Sequence, residues 1–512
     1  MSNFSSALNK LIRADSQKSD LSSNKSKEDK KPPKPNHNQN QNHNNEPNKP
    51  PKPPKPNHNN EPNKPPKPPK PPQPQPQPEP NTQNNNYFQF NDSDTNILDK
   101  IVPQVITTVK QIDRNNDLYQ GAIGFGKLCQ GGKSGQNLIV SRLDDLDQPG
   151  CLRWALQKTS GPRNIKFSVE GLIDLKSPLV VRNGQVTLDG TGKTIVVTGA
   201  GVTFKDTHDI YIKNIRFRPG SHYALANQKS YDALTIMQCL YVYLENISAS
   251  WSTDETLSVN KSGYITVKDC FIACPLNDSS LHIENGQGIN HAYGSLITGH
   301  KITVTGTLWS YYLIRGPQTD MDNGSVKEFV KNASYGYHGS GSRIALSENS
   351  NSLCIFVDHV YRQPSGLTKP EVEFVNVPID PQSILPKQIV FVQPKRDPHV
   401  DPFASPSFSG TGSDDSQNRA QRVNAVKAMR IQPADYNTLP EYHKTSILNG
   451  GKTSVNDLWS EIIQKVGATS PSRDAVDVAI LDAISQGKDL LLNKESDMGG
   501  FNLYPFWQRR PI

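Results

Sequence analysis

At 512 residues the chain is long enough for two or three domains of ordinary size, but its composition shifts sharply along its length. The formal charge of +7 resides entirely in residues 1–80, which hold 14 of the 56 Lys and Arg against 7 of the 49 Asp and Glu. The remainder is electrically balanced, which excludes a global pull of the folded part toward nucleic acid or a membrane surface.

The opening residues, MSNFSSALNKLIRADSQKSD, lack the apolar core of a secretory signal, and no later run is long enough to span a bilayer. Phe4, Leu8, Leu11 and Ile12 share one face of a short helix, so residues 1–30 read as a segment carrying a weak helix or a docking peptide. Residues 31–115 read as a disordered linker. There NNEPNKPPKPPKPNH, from Asn44, is followed at Asn59 by NNEPNKPPKPPKPPQ, a 15-residue repeat. Proline fixes φ and removes the amide donor, so this stretch favours extended polyproline II, a semi-rigid spacer of about 3.1 Å per residue. The six cysteines are too thinly spread for a disulfide framework and read as small buried apolar residues.

Past Lys100 the texture changes to short β runs broken by Gly, Asn and Asp. A five-residue pattern, apolar at its first and third places and closed by a small polar residue, recurs as IYIKN (Ile210–Asn214), VYLEN (Val242–Asn246), ITVKD (Ile265–Asp269) and ITVTG (Ile302–Gly306). EFVKN (Glu328–Asn332) is a further copy, and IFVDH (Ile355–His359) is a degraded last one. Closing residues are separated by 32, 23, 37, 26 and 27 residues. Alternation predicts half-buried strands, and most of these intervals are too short for a four-stranded propeller blade. One coil of a parallel β-helix fits, with loops of unequal length leaving one face. The expected layout is a β-helix core over residues 116–370 and an extension over 371–512 that packs on it.

Over residues 119–505 the chain resembles the pectate lyases, a family of right-handed parallel β-helices. The resemblance rests on an ordered series of motifs: GAIGFGKLCQGGKSGQNLIVSRLDDLDQPGCLRWAL, RNIKFSVEGLIDL with VTLDGTG, IKNIRFRPG with DALTI, SWSTDETLSV, LIRGPQ, and SPSRDAVDVAILDAISQGKD with MGGF. It implies β-elimination on an acidic polysaccharide of the polygalacturonate type. In that family Ca2+ bridges protein and uronate carboxylates, and an arginine takes the C5 proton.

Carried over position by position, Asp232 in DALTI and Asp254 in STDET match the calcium carboxylates, and Arg315 in LIRGPQ matches the base. Glu255, His291, Tyr293 and Gln318 are the expected substrate contacts. Three departures stand out. Ser258 occupies a place where many relatives have a third carboxylate, Gln318 replaces a substrate-binding arginine, and the lysine expected before SLITG gives way to His291 and Tyr293. Arginine is a base only where surroundings push its pKa far down, and these changes remove cations that would help. His282 and His291 stand as alternative bases. Trp251, Trp309, Tyr311, Tyr312, Tyr335 and Tyr337 are either sugar platforms or packing between coils.

The leading reading is a polysaccharide lyase with no nucleic-acid partner and no membrane insertion, acting outside a cell or on a particle surface. The rival is a non-catalytic β-helix, glycan-binding or structural, mounted on a virion or cell surface through its N-terminal stalk and an attachment partner. A glycoside hydrolase would need paired carboxylates across a cleft, and no such pair stands out.

Overall fold

The chain winds as a right-handed parallel β-helix whose coils each contribute strands to three faces. The computed structural model describes residues 109, 112 and 114–504, apart from 279, 285, 286, 348–350, 379–387, 397–399 and 411–417. The helix expected in residues 1–30 and the Pro-rich linker lie outside the described residues, save a few at the linker's end. One coil shows the plan: Leu234–Met237, Leu240–Glu245 and Ser248–Ser250 lie on successive faces, and each pairs in parallel with its counterpart one coil on. Among the described strands the only antiparallel pair is Ile283–Glu284 with Gln287–Gly288, a hairpin in the loop before Tyr293.

Parallel in-register pairing stacks like on like, with one register shift between Val259 and Ser262. Val186, Ile210, Val242, Ile265 and Ile302 pair one after another along the axis, all fully buried. The next rung is Lys327, then Cys354, in the same inward column. Lys327 is buried, and its Nζ donates to Asp320 Oδ1 at 2.6 Å and to the Asp320 carbonyl at 2.8 Å, which satisfies a cation inside the core.

The turn after this strand repeats as well. Asn214, Asn246, Asp269 and Gly306 close their motifs with φ between 49° and 63°, the left-handed region where Asn, Asp and Gly are tolerated best. In the last two copies the left-handed residue is Lys331 and then Asp358, one place earlier than the sequence pattern puts the turn. The structural motifs are therefore KEFVK and CIFVD. The slip has a physical cause. Ile355 and Val357 point outward yet are buried with Val390, Ile431, Tyr436 and Ile447 beneath the C-terminal segment, so both faces of this strand are apolar and alternation is hidden. Asn332, one residue past the turn, is drawn inside, where its side chain accepts from the Thr307 amide and donates to the Val304 carbonyl.

The solenoid does not stop at residue 370. Val372–Val375, Ile389–Val392 and Ser407–Ser409 extend its ladders, so the core runs to about residue 409. Short, interrupted runs there left too little pattern to read in the sequence. Open sheet ends invite further pairing. The helix Leu152–Gln157 covers the first coils, packing Leu152 and Leu156 with Val140, Ile165 and Leu179. The helix Arg419–Met429 brings Val426 and Met429 against the last, with Phe391 and Phe403.

Two further helices, Val455–Lys465 and Ala475–Ser485, lay Leu458, Ile462, Val476 and Ile480 on the eight-stranded face beside Phe271, Leu308, Ala333 and Val360. Arg218 fastens them. Its guanidinium donates to Asp474 Oδ2 and Asp477 Oδ1, both at 2.6 Å, and to the Tyr504 hydroxyl at 2.7 Å, with every partner buried. Removing one member of such a network strands the rest as unpaired buried charge. Arg218→Ala is expected to lower unfolding stability by about 3–5 kcal/mol in denaturant titration and to open residues 455–504 to protease. An unchanged midpoint would show that helix packing alone holds this segment.

Candidate active site

The candidate residues gather where the chain enters the face formed by Leu234–Met237, the start of Glu255–Lys268, the start of Tyr293–Thr305 and Gln318–Asp320. Backbone bonds set their spacing. The amides of Thr253 and Asp254 both donate to the Tyr231 carbonyl, at 3.0 and 3.1 Å, and the Ala233 amide donates to the Glu255 carbonyl. Asp232 and Asp254 are thereby neighbours across one coil step. On the next steps Glu255 pairs with Tyr293, and Tyr293 bridges Ile314, so Arg315 arrives two coils above Asp254.

Arg315 takes φ 71°, a left-handed conformation unusual for a residue with a side chain. Its carbonyl accepts the Ser295 amide at 2.5 Å, which ties that turn to the coil below. The guanidinium ion-pairs with Glu255 and lies 4.3 Å from the Tyr293 ring centre. Strained backbone held by surrounding structure is a recurrent property of functional sites.

Two groups of metal-competent side chains share one carboxylate. Oxygens of Asp232, Asp254 and Glu255 lie within 4.8 Å of one another, and so do donor atoms of Asp254, His282 and His291. Asp232 also accepts the Thr235 hydroxyl at 2.7 Å. His291 Nε2 is 2.7 Å and His282 Nδ1 3.8 Å from Asp254 Oδ1.

Crowding of like charge shows in the proton affinities. Burial first, and the Asp254 charge second, push the Asp232 carboxyl up to about 7, against the pull of Thr235, Ser258 and Arg315. Burial first, and the Arg343 cation second, bring Arg315 down to about 10, with Asp254 and Asp232 opposing. Arg343 has no place in the sequence reading. It lies one coil past Gln318, paired with it in register, and its Nη1 donates to Gln318 Oε1 at 3.3 Å. The signal available for it was the coil period, which sets GSRIAL directly above GPQTD.

Of the sequence-derived positions, Asp232, Asp254, Glu255, His291, Tyr293 and Arg315 fall in this one patch, while Gln318 lies at its edge beside Arg343. Of the two readings of the aromatic residues, the structure places them in packing. Trp251, Trp309, Tyr311, Tyr312, Tyr335 and Tyr337 are all buried and pack between coils or under the C-terminal helices. All six cysteines are buried and free. Among the described residues no helix is long and apolar enough to cross a membrane.

No protein-family model matches the chain. It is 29% identical over 248 residues to "Probable pectate lyase C" of Aspergillus terreus, covering 48% of this chain and 54% of that one. It is 25% identical over 411 residues to the protein of that name from Aspergillus flavus, covering 78% and 86%. The chain thus spans about half the length of the Aspergillus terreus relative. A solved structure described as pectate lyase bound to hexasaccharide superimposes with a TM-score of 0.43 at 13% identity, over 69% of this chain and 98% of that one.

The Asp232 shift carries a stability prediction. A carboxyl near 7 when folded and about 4 when unfolded binds more protons in the native state between those values, so stability falls as pH rises across them. In chelator at pH 8, Asp232→Asn is expected to be more stable than the parent by about 1–2 kcal/mol, discounted for partial solvent screening, with the difference gone by pH 4. Equal denaturation midpoints at pH 8 would show that Asp232 bears no such cost.

Proposed function

We propose that the chain is a divergent member of the pectate lyase family, a polysaccharide lyase that cleaves an acidic polysaccharide of the polygalacturonate type by β-elimination. What supports this most is one juxtaposition: the Arg315 guanidinium sits against Glu255, whose carboxylate stands within ligand distance of Asp232 and Asp254. An oxygen-only group of three carboxylates suits a hard cation, and Thr235 and Ser258 add hydroxyls beside it. The raised Asp232 value fits too, since a bound cation would offset the charge these residues hold together. Asp232, Asp254 and Glu255 would hold Ca2+, which when bound draws in a uronate carboxylate and acidifies the adjacent C5 proton.

Arg315 in its neutral form accepts that proton. The electron pair forms the C4–C5 double bond, and the glycosidic oxygen leaves from C4. Arg343 contributes on this reading through its charge, which lowers the Arg315 pKa from one coil past Gln318, where its guanidinium is held by an ion pair with Glu373 at 2.8 Å. Tyr293 fixes the plane of Arg315 from below. Such a polymer lies outside a cell, and the reaction belongs there.

The test uses the full chain, polygalacturonate and Ca2+, with absorbance of the unsaturated product followed over time. Activity is expected to vanish in chelator and to climb with pH toward about 10, as the neutral fraction of Arg315 grows. Arg315→Ala is expected to lower kcat by about 10²–10⁴-fold with KM little changed. Folded protein that gives no Ca2+-dependent product on any uronan would sink the lyase reading in favour of a glycan-binding β-helix.

A further inference from the structure

Asp254 faces two ways, and the side away from Asp232 carries nitrogen. His282 and His291 stack face to face with ring centres 3.7 Å apart and planes 4° from parallel, and both present a ring nitrogen to Asp254 Oδ1. His291 is only 8% exposed. Its Nδ1 has no hydrogen-bond partner, and its Nε2, though 2.7 Å from Asp254 Oδ1, is not aligned for a hydrogen bond to it. A buried imidazole left this way is a costly arrangement unless something else takes its lone pair.

One carboxylate and two neutral imidazoles make an N2O set. Calcium prefers six to eight oxygens and is poorly served by it, whereas borderline divalent transition metals favour imidazole. Spacing agrees. Donors about 2.0–2.2 Å from a tetrahedral ion lie about 3.3 Å from each other, and the contacts to Asp254 Oδ1, 2.7 and 3.8 Å, bracket that value, while the two rings have to turn out of their parallel stack for both in-plane lone pairs to meet one ion.

We propose that Asp254, His282 and His291 form a binding site for a divalent transition metal of the zinc class, beside the carboxylate group that suits calcium and sharing Asp254 with it. The coil spacing makes the two sites adjacent, and the shared carboxylate couples them: an ion on the histidine side withdraws Asp254 from the other. The inference stands on these residues alone and does not require the chain to be a lyase.

The full chain, freed of metal, is titrated with CoCl2 by visible absorption and with ZnCl2 by calorimetry. The His282→Ala/His291→Ala double variant serves as the blank for histidines elsewhere. The expected result is a ligand-field band and a Zn2+ site in the parent, weakened at least tenfold in each single histidine variant, with circular dichroism unchanged. Asp232→Asn separates the two sites, retaining the Co2+ band whether or not Ca2+ binds. A band absent from the parent, equal in the double variant, or lost in Asp232→Asn would overturn the proposal.

Discussion

Everything in this molecule depends on the parallel hydrogen-bond ladder between coils, which places equivalent residues about 4.8 Å apart along the axis whatever their separation in sequence. The ladder tolerates insertions, because a loop can leave at a turn and return without disturbing the next rung. The loop between Ala273 and Tyr293 shows this: Ser258 pairs with Leu296, 38 residues on, as directly as Thr235 pairs with Ser258. Apolar residues one rung apart give the interior its continuous packing. The same rule, applied to outward side chains, brings carboxylates and guanidinium groups together that no local motif would unite.

That rule explains which parts were legible in the sequence. Motifs closed by Asn214, Asn246, Asp269 and Gly306 show alternation because their outward positions are at least partly polar, and their closing residues suit a left-handed turn. Reading failed where both sides of a strand are buried. At Ile355 the C-terminal segment covers the outside, while Lys327 and Cys354 fill inward places where an apolar residue is expected, so the register slid by one. The end of the solenoid was missed for a related reason, since its last strands are three or four residues long. The place of Arg114 left no signal either. Arg114, paired with Asp209 and lying 3.4 Å from the Tyr241 ring centre, reads in sequence as one more cation.

Within the site, motifs pointed to residues that the fold gathers in one patch, whereas their electrostatic context was not legible. Asp232, Asp254 and Arg315 could be named from motifs, but Arg343 could not, because its influence runs up the stack and not along the chain. His282 was legible only as a base and His291 only as a base or a substrate contact, since nothing in a linear sequence says that they stack beside a shared aspartate.

Glu255 has the decisive position. In the structure it neutralises Arg315, and an ion pair of that kind favours the protonated guanidinium, which cannot accept a proton. Its carboxylate is also the third member of the oxygen cluster with Asp232 and Asp254, where a cation would compete for it. Glu255 cannot serve both neighbours fully. On the lyase reading, the charge that draws Glu255 toward the cluster also deprives Arg315 of its counter-ion, while Arg343 continues to press its pKa downward. Cation binding and base activation then become one rearrangement of a single side chain, and the missing third carboxylate at Ser258 is made good by the residue that had been holding the base inactive.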